Sequence, residues 1–148
     1  MSARILIVDD EPANVLLLES FLADTATETR SVTDSLEVER VFTEFEPDIV
    51  LLDMHMPQLD GLELLRRLRS ARDSLGFLPV IVLTADTSPV ARNSALILGA
   101  DDFLTKPLER TEVVLRVRNL LHTRELYAEL MATKESLERQ LDRSQHRP

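Results

Sequence analysis

The chain has 148 residues, 44% hydrophobic and 29% charged, which suits one domain of about 100 to 150 residues with a short appendage. It has no cysteine, which excludes a disulfide scaffold, a thiolate zinc site and a cysteine nucleophile and makes a reducing cytoplasm the expected setting. Lys and Arg number 17 against 26 Asp and Glu, a net charge of −9, and residues 123–148 are neutral with five acids and five bases, so residues 1–122 carry the whole excess; a body this acidic argues against nucleic acid, whose phosphates need basic partners, and points to a divalent cation.

Arg4–Val8 (RILIV) is an apolar run closed at once by Asp9, Asp10 and Glu11, the pattern of a strand buried on both faces and not of a secretory segment. No run elsewhere approaches the roughly 18 apolar residues of a membrane span, so a soluble protein with no membrane partner is expected. Pro12 suits a first helical turn, and Val15, Leu16, Leu18, Phe21 and Leu22 recur at helical spacing. Glu28–Val32 predicts a weak second strand, and a helix over 35–45 follows with Leu36, Val38, Val41, Phe42 and Phe45 apolar. Asp48–Leu52 (DIVLL) predicts a third strand, then a loop shaped by Pro57 and Gly61, with Gly supplying positive φ at the turn. The next helix carries Leu62, Leu64, Leu65 and Leu68. Pro79–Leu83 (PVIVL) predicts a fourth strand, with a helix over 88–98 that Gly99 terminates. Phe103 and Leu104 mark a short fifth strand, and a helix from near Leu108 carries Val113, Val114, Leu115, Val117, Leu120 and Leu121.

Strands that are continuously apolar and alternate with helices imply a parallel sheet covered on both faces, with right-handed crossovers. The predicted fold is α/β, a doubly wound five-stranded parallel sheet of order 2-1-3-4-5, flavodoxin-like, with an extended C-terminal helix. Such sheets bind ligands beyond the carboxyl ends of the strands, near the switch point between strands 1 and 3.

Four strand endings meet at that edge: Asp9 and Asp10, Asp53, Thr84 and Ala85, and Lys106 and Pro107. Acids after strands often do no more than begin helices, where they favour the positive end of the dipole. Three carboxylates at one edge nevertheless repel unless a cation lies among them, and an oxygen cluster without His or Cys suits Mg²⁺ or another hard ion such as Mn²⁺. Lys106 is the single lysine of residues 1–122 in a chain with fifteen arginines. Its ammonium reaches an anion as a point charge, and Thr84 adds a hydroxyl donor. A phosphoryl group on Asp53 would use all of these: the metal on one oxygen, Lys106 on a second, Thr84 and a backbone N–H on the third.

The chain resembles the receiver domain of bacterial two-component response regulators over roughly residues 3–122. The resemblance rests on Asp9 and Asp10, the stretch Asp53-Met-His-Met-Pro57-Gln-Leu-Asp60-Gly61, Thr84-Ala85, and Ala100-Asp-Asp-Phe103-Leu-Thr-Lys106-Pro107. It implies that Asp53 is the phosphoacceptor and attacks a phosphoryl group carried on the histidine of a sensor kinase or phosphotransfer protein. It implies Mg²⁺ held directly by Asp10, largely through water by Asp9, and by Asp53 and the backbone carbonyl of His55. The phosphoryl group is expected on Thr84, Ala85 and Lys106, and Thr84 and Phe103 are the expected switch pair. With Phe in place of Tyr, that switch acts through packing and not a hydrogen bond. The side chains of His55 and Asp86 are expected to tune hydrolysis; an acid at Asp86 either orients the attacking water or repels it. The Lys106–Pro107 bond is expected to be cis by the same resemblance, since isolated X-Pro bonds are cis only about 5 to 6% of the time.

The stretch 120–141 lacks Gly and Pro and is rich in Leu, Glu, Arg and Ala, so it can continue the fifth helix. The expected division is a receiver over 1–122 and a helical extension over 123–148. One heptad register places Val117, Arg124, Met131 and Glu138 with Leu120, Tyr127, Lys134 and Leu141 at a seam; another uses Leu126, Leu130, Thr133, Leu137 and Gln140. Neither is uniformly apolar, which suggests a weak coiled coil or two competing registers in a parallel homodimer. A solvated, fraying helix is the plain alternative. The helix also resembles connectors to cyclic-dinucleotide enzyme domains, and a natural short regulator and a piece of a longer protein both fit the chain.

Three other functions compete with this reading. An aspartyl-nucleophile phosphatase would also use a doubly wound sheet and Mg²⁺, but its general acid two residues after the nucleophile is here His55. A silent adaptor would carry the same site without accepting phosphate. Nucleotide binding is disfavoured because Gly61, Gly76 and Gly99 form no phosphate-cradling loop.

Overall fold

The computed structural model describes residues 3–25, 28–58, 60–72 and 77–145. Leu59, Gly76, Arg147 and Pro148, which enter the motif, loop and tail readings above, lie outside the described residues. The elements are β1 (Arg4–Val8), α1 (Pro12–Phe21), β2 (Glu28–Val32), a 3₁₀ turn (Ser35–Glu37), α2 (Val38–Phe45), β3 (Ile49–Asp53), α3 (Gly61–Arg72), β4 (Val80–Thr84), α4 (Pro89–Ile97), β5 (Asp102–Thr105) and α5 (Arg110–Gln145). The strands form one sheet of order β2-β1-β3-β4-β5 with every pairing parallel.

The continuous apolar runs are explained by burial on both faces. Leu6, Val8, Val50, Leu52, Val80 and Val82 join the core under α2, α3 and α4, while Ile5, Ile7, Ile49, Leu51, Ile81 and Leu83 join the core under α1 and α5. Successive residues point to opposite faces, so both parities must be apolar. Each such side chain contributes about 1.5 to 3 kcal/mol relative to exposure, and this burial fixes the strand ends where the chemistry sits.

Some sequence expectations shift. The helix predicted over 35–45 begins as a 3₁₀ turn, since the Asp34 side chain accepts from the Leu36 N–H at its start; Leu36 is exposed, as are Leu16 of α1 and Leu115 of α5. Strands β3 and β4 each lie one residue later than predicted, at Ile49–Asp53 and Val80–Thr84, because Asp53 still pairs with Leu83 and Thr84 with Thr105 in the ladder.

Gly61 does not take a positive φ; among the described residues of that loop the left-handed position is Gln58, at φ 76°. Glycine is required there by closeness instead: a Cβ on Gly61 would stand 2.5 Å from Met54 Cα. Gly99, at φ 101°, ends α4 as expected. Helix α5 starts at Arg110, two residues later than predicted, and continues unbroken for 36 residues, about 54 Å at 1.5 Å per residue. Among the described residues no helix is long and apolar enough to cross a membrane.

Candidate metal centre

β1 and β3 are neighbours with Val8 level with Leu52, so the residues that follow, Asp9 and Asp53, emerge side by side at the carboxyl edge. Asp10 joins them, and the three residues each offer a carboxylate oxygen such that all lie within 4.8 Å of one another. Asp9 is fully buried and Asp53 is 1% exposed. Asp9 is held by the Glu11 N–H at 2.9 Å and by Asn14 Nδ2 at 3.3 Å. Asp53 Oδ1 accepts from the His55 N–H at 3.1 Å and from Lys106 Nζ at 3.2 Å. Lys106 also stands 3.4 Å from Asp9 Oδ2.

Asp53 Oδ2 is buried and has no hydrogen-bond partner. Burial pushes the Asp53 carboxyl up to about 6, reinforced by Asp9 and opposed by the His55 N–H and by Lys106. Burial works against the Lys106 ammonium, but Asp53 and Asp9 outweigh it and hold the group above its ordinary range. One ammonium thus pairs with two carboxylates of a cluster of three. An orphaned buried oxygen within an all-oxygen cluster of excess negative charge fits a hard divalent cation.

The remaining predicted residues lie on β4, β5 and the loops that follow the strands. Thr84 ends β4 and is buried; its hydroxyl accepts from the Asp86 N–H at 3.0 Å and donates to the Asp86 carbonyl at 3.4 Å, so it is engaged by the β4–α4 loop. Ala85 is exposed in that loop. Asp86 accepts from the Ser88 N–H at 2.9 Å, which with the Ser88 hydroxyl and nearby His55 lowers its carboxyl. The Lys106 N–H donates to the Thr84 carbonyl at 2.9 Å, and the Lys106–Pro107 peptide is cis. A cleft of about 450 Å³ opens beside the cluster, lined by His55, Thr84, Asp86 and Phe103 among others.

Three supporting residues escaped the sequence reading. Asn14 bridges Asp9 and Glu11 from the first turn of α1, and an Asn at the start of a helix one turn after an acidic pair is the available signal. Arg92 lies over the half-buried Phe103 ring, 5.4 Å from its centroid. Buried Ser35 donates to the Pro57 carbonyl at 2.9 Å and ties down the loop after β3.

Comparisons with known proteins identify the family. The transcriptional regulatory protein TrcR of Mycobacterium tuberculosis is 40% identical over 118 residues, 80% of this chain and 45% of its own length. The response regulator MprA of Mycobacterium bovis is 39% identical over an alignment of 155 positions, 99% of this chain and 66% of its own length. The chain therefore spans about half to two thirds of these relatives. Among solved structures, NtrX of Brucella abortus superposes with a TM-score of 0.81 at 30% identity, covering 90% of this chain and 30% of NtrX. The receiver domain of the Francisella response regulator 1452 superposes with a TM-score of 0.74 at 29% identity over 82% of this chain and 98% of its own. The family model for the response regulator receiver domain matches residues 5–118; the chain belongs to that family, and its carboxylate cluster lies at the carboxyl edge of a receiver sheet.

Proposed function

We propose that the chain accepts a phosphoryl group on Asp53 from the phosphohistidine of a sensor kinase or phosphotransfer protein, in a Mg²⁺- or Mn²⁺-dependent reaction in the cytoplasm, and passes the change on through α5. The observation that carries this reading is the unpartnered, buried Asp53 Oδ2 among Asp9, Asp10 and Lys106.

Asp10, Asp9, Asp53 and the His55 carbonyl would hold the metal. When bound, the ion supplies the positive charge that offsets the carboxylates and the incoming phosphoryl oxygens. Asp53 acts as the nucleophile: a carboxylate oxygen forms the O–P bond of an acyl phosphate while the P–N bond breaks and its electron pair leaves on the donor imidazole. Lys106 binds a phosphoryl oxygen with its ammonium, already aimed at Asp53 Oδ1 at 3.2 Å. The Ala85 N–H and the Thr84 hydroxyl take the remaining charge once Thr84 leaves the Asp86 backbone. That release frees room for Phe103 to turn into the cleft, and His55 and Asp86 at its mouth govern the approach of water.

Residues 1–122 form the acceptor unit in this reading and 123–148 the output segment, whose helix signals by pairing with a second copy, to a protein target or to an appended cyclic-dinucleotide enzyme. Incubation with acetyl phosphate and Mg²⁺, followed by intact mass, is the test. One added phosphoryl group that is lost in Asp53→Asn and without metal supports it. No added mass under any donor overturns it in favour of a silent adaptor, and turnover of phosphate monoesters would favour a phosphatase.

A further inference from the structure

Helix α5 has two faces. Val113, Val117 and Leu121 are buried against the sheet, and the same side is used beyond them: Arg124 Nε bonds Asp48 Oδ1 at 3.2 Å, Arg124 also donates to the Phe77 carbonyl, and the Tyr127 ring lies 5.8 Å from that of Phe77. Arg124 and Tyr127 are thus committed to the body of their own chain. They are also seam positions of the register built on Val117, Arg124 and Met131, so that register is closed.

The other register remains open. Leu126, Leu130 and Leu137 are 51 to 61% exposed, and at about 100° per residue the stripe of Leu126, Leu130, Thr133 and Leu137 is centred about 200° from the body-facing side. The stripe therefore faces away from the body of its own chain. Exposed Leu115 continues the stripe back along α5. Glu129 and Lys134 flank it on opposite sides, in the g and e positions, so a parallel pair brings Glu129 of each copy to Lys134 of the other. An antiparallel pair overlapping along the whole tail instead sets Lys134 against its own counterpart.

We infer that the α5 stripe Leu126, Leu130, Thr133 and Leu137 is the seam of a parallel, two-stranded coiled coil with a second copy of this chain, locked by reciprocal Glu129–Lys134 pairs. The inference deepens the proposed output role of α5 and is independent of phosphoryl transfer. The seam spans roughly two heptads with Thr133 and Gln140 among its positions, so the pair dissociates on dilution.

Because the native chain has no cysteine, single cysteines report the register. Full-length Leu130→Cys, Leu137→Cys and Met131→Cys proteins are oxidised with and without beryllofluoride, each also in an Asp53→Asn background. Same-position Cα atoms at a parallel seam fall within the roughly 4.4 to 6.8 Å a disulfide needs. The expected result is disulfide dimers at 130 and 137 forming at least about tenfold faster than at 131 in one ligand state or both. Equal or faster linkage at 131, linkage between Leu130→Cys and Gln140→Cys chains in place of same-position linkage, or no dimer in any state overturns the inference.

A second measurement leaves the leucines intact. Glu129→Lys should raise the midpoint concentration for dimerisation about tenfold by light scattering, and the swap Glu129→Lys with Lys134→Glu should restore it; a swap as weak as the single variant refutes the pairing. Loss of phosphoryl acceptance alone leaves both patterns unchanged, so the two readings fail separately.

Discussion

Lys106 Nζ lies 3.2 Å from Asp53 Oδ1, joining the end of β5 to the end of β3 across the intervening strand β4. The same ammonium is 3.4 Å from Asp9 Oδ2, so one side chain balances two buried carboxylates. Lys106→Ala leaves both without their cation. The expected result is a fall on the order of 10²-fold in the rate of Asp53 phosphorylation from acetyl phosphate, the scale for removing one preorganised charge stabiliser. The metal-free variant should also melt lower than the parent, and added Mg²⁺ should recover more stability in it than in the parent. Unchanged phosphorylation kinetics would remove Lys106 from the chemistry.

The raised Asp53 carboxyl makes stability depend on pH with a definite sign. Because burial lifts it from 3.8 to about 6, the folded metal-free protein binds this proton more tightly than the unfolded chain does. Its contribution is therefore favourable below about pH 4 and is lost as pH rises through 6. A shift of roughly two units corresponds to at most ~3 kcal/mol at 1.36 kcal/mol per unit, and solvent screening reduces it to about 1 to 2 kcal/mol. Asp53→Asn should be more stable than the parent by that amount at pH 8 without metal, and should lose the advantage at pH 4. Urea midpoints at the two pH values, without metal, read the effect directly; a parallel pH dependence in both proteins would contradict it.

Asn14 tests whether support from α1 matters to the metal. Its amide holds Asp9 Oδ2 at 3.3 Å and Glu11 Oε2 at 3.2 Å, adding a restraint from α1 to those of the Glu11 N–H and Lys106 on the same carboxylate. Outer groups of this kind typically change metal affinity by about 10- to 100-fold. Asn14→Ala should weaken Mg²⁺ binding by about tenfold in calorimetry while the circular dichroism spectrum stays that of the parent.

The sheet order and the edge that gathers the acids were legible because both follow from patterns short in sequence. Runs such as RILIV and PVIVL need burial on both faces, and only a parallel sheet with helices on each side supplies it. The acids are adjacent to those runs, so their convergence follows from the strand order. What the sequence concealed depends on approach between distant segments. Gly61 reads as a turn residue, yet its constraint is Met54 Cα at 2.5 Å from where a Cβ would lie. Arg92 acquires its place over Phe103 only when α4 packs beside β5. The tail registers were equally indistinct for the same reason: nothing local distinguishes Arg124 and Tyr127 from neighbouring helix residues until Asp48 and Phe77 are brought beneath them.

That anchorage gives the last prediction. Asp48 accepts from the Arg4 N–H at 2.8 Å and from Arg124 Nε at 3.2 Å, so the start of β1, the approach to β3 and the root of the extension share one carboxylate. Arg124 is only partly exposed, and its second donor goes to the Phe77 carbonyl ahead of β4. Arg124→Ala removes a half-buried ion pair and a hydrogen bond to backbone, a loss of about 1 to 2 kcal/mol. The consequence should be uneven along α5. Amides of 122–130 should lose hydrogen-exchange protection while those of 113–118, held by Val113 and Val117 in the core, keep theirs. Uniform loss across the helix would mean that α5 opens as one unit and that Arg124 does not set where the body ends and the extension begins.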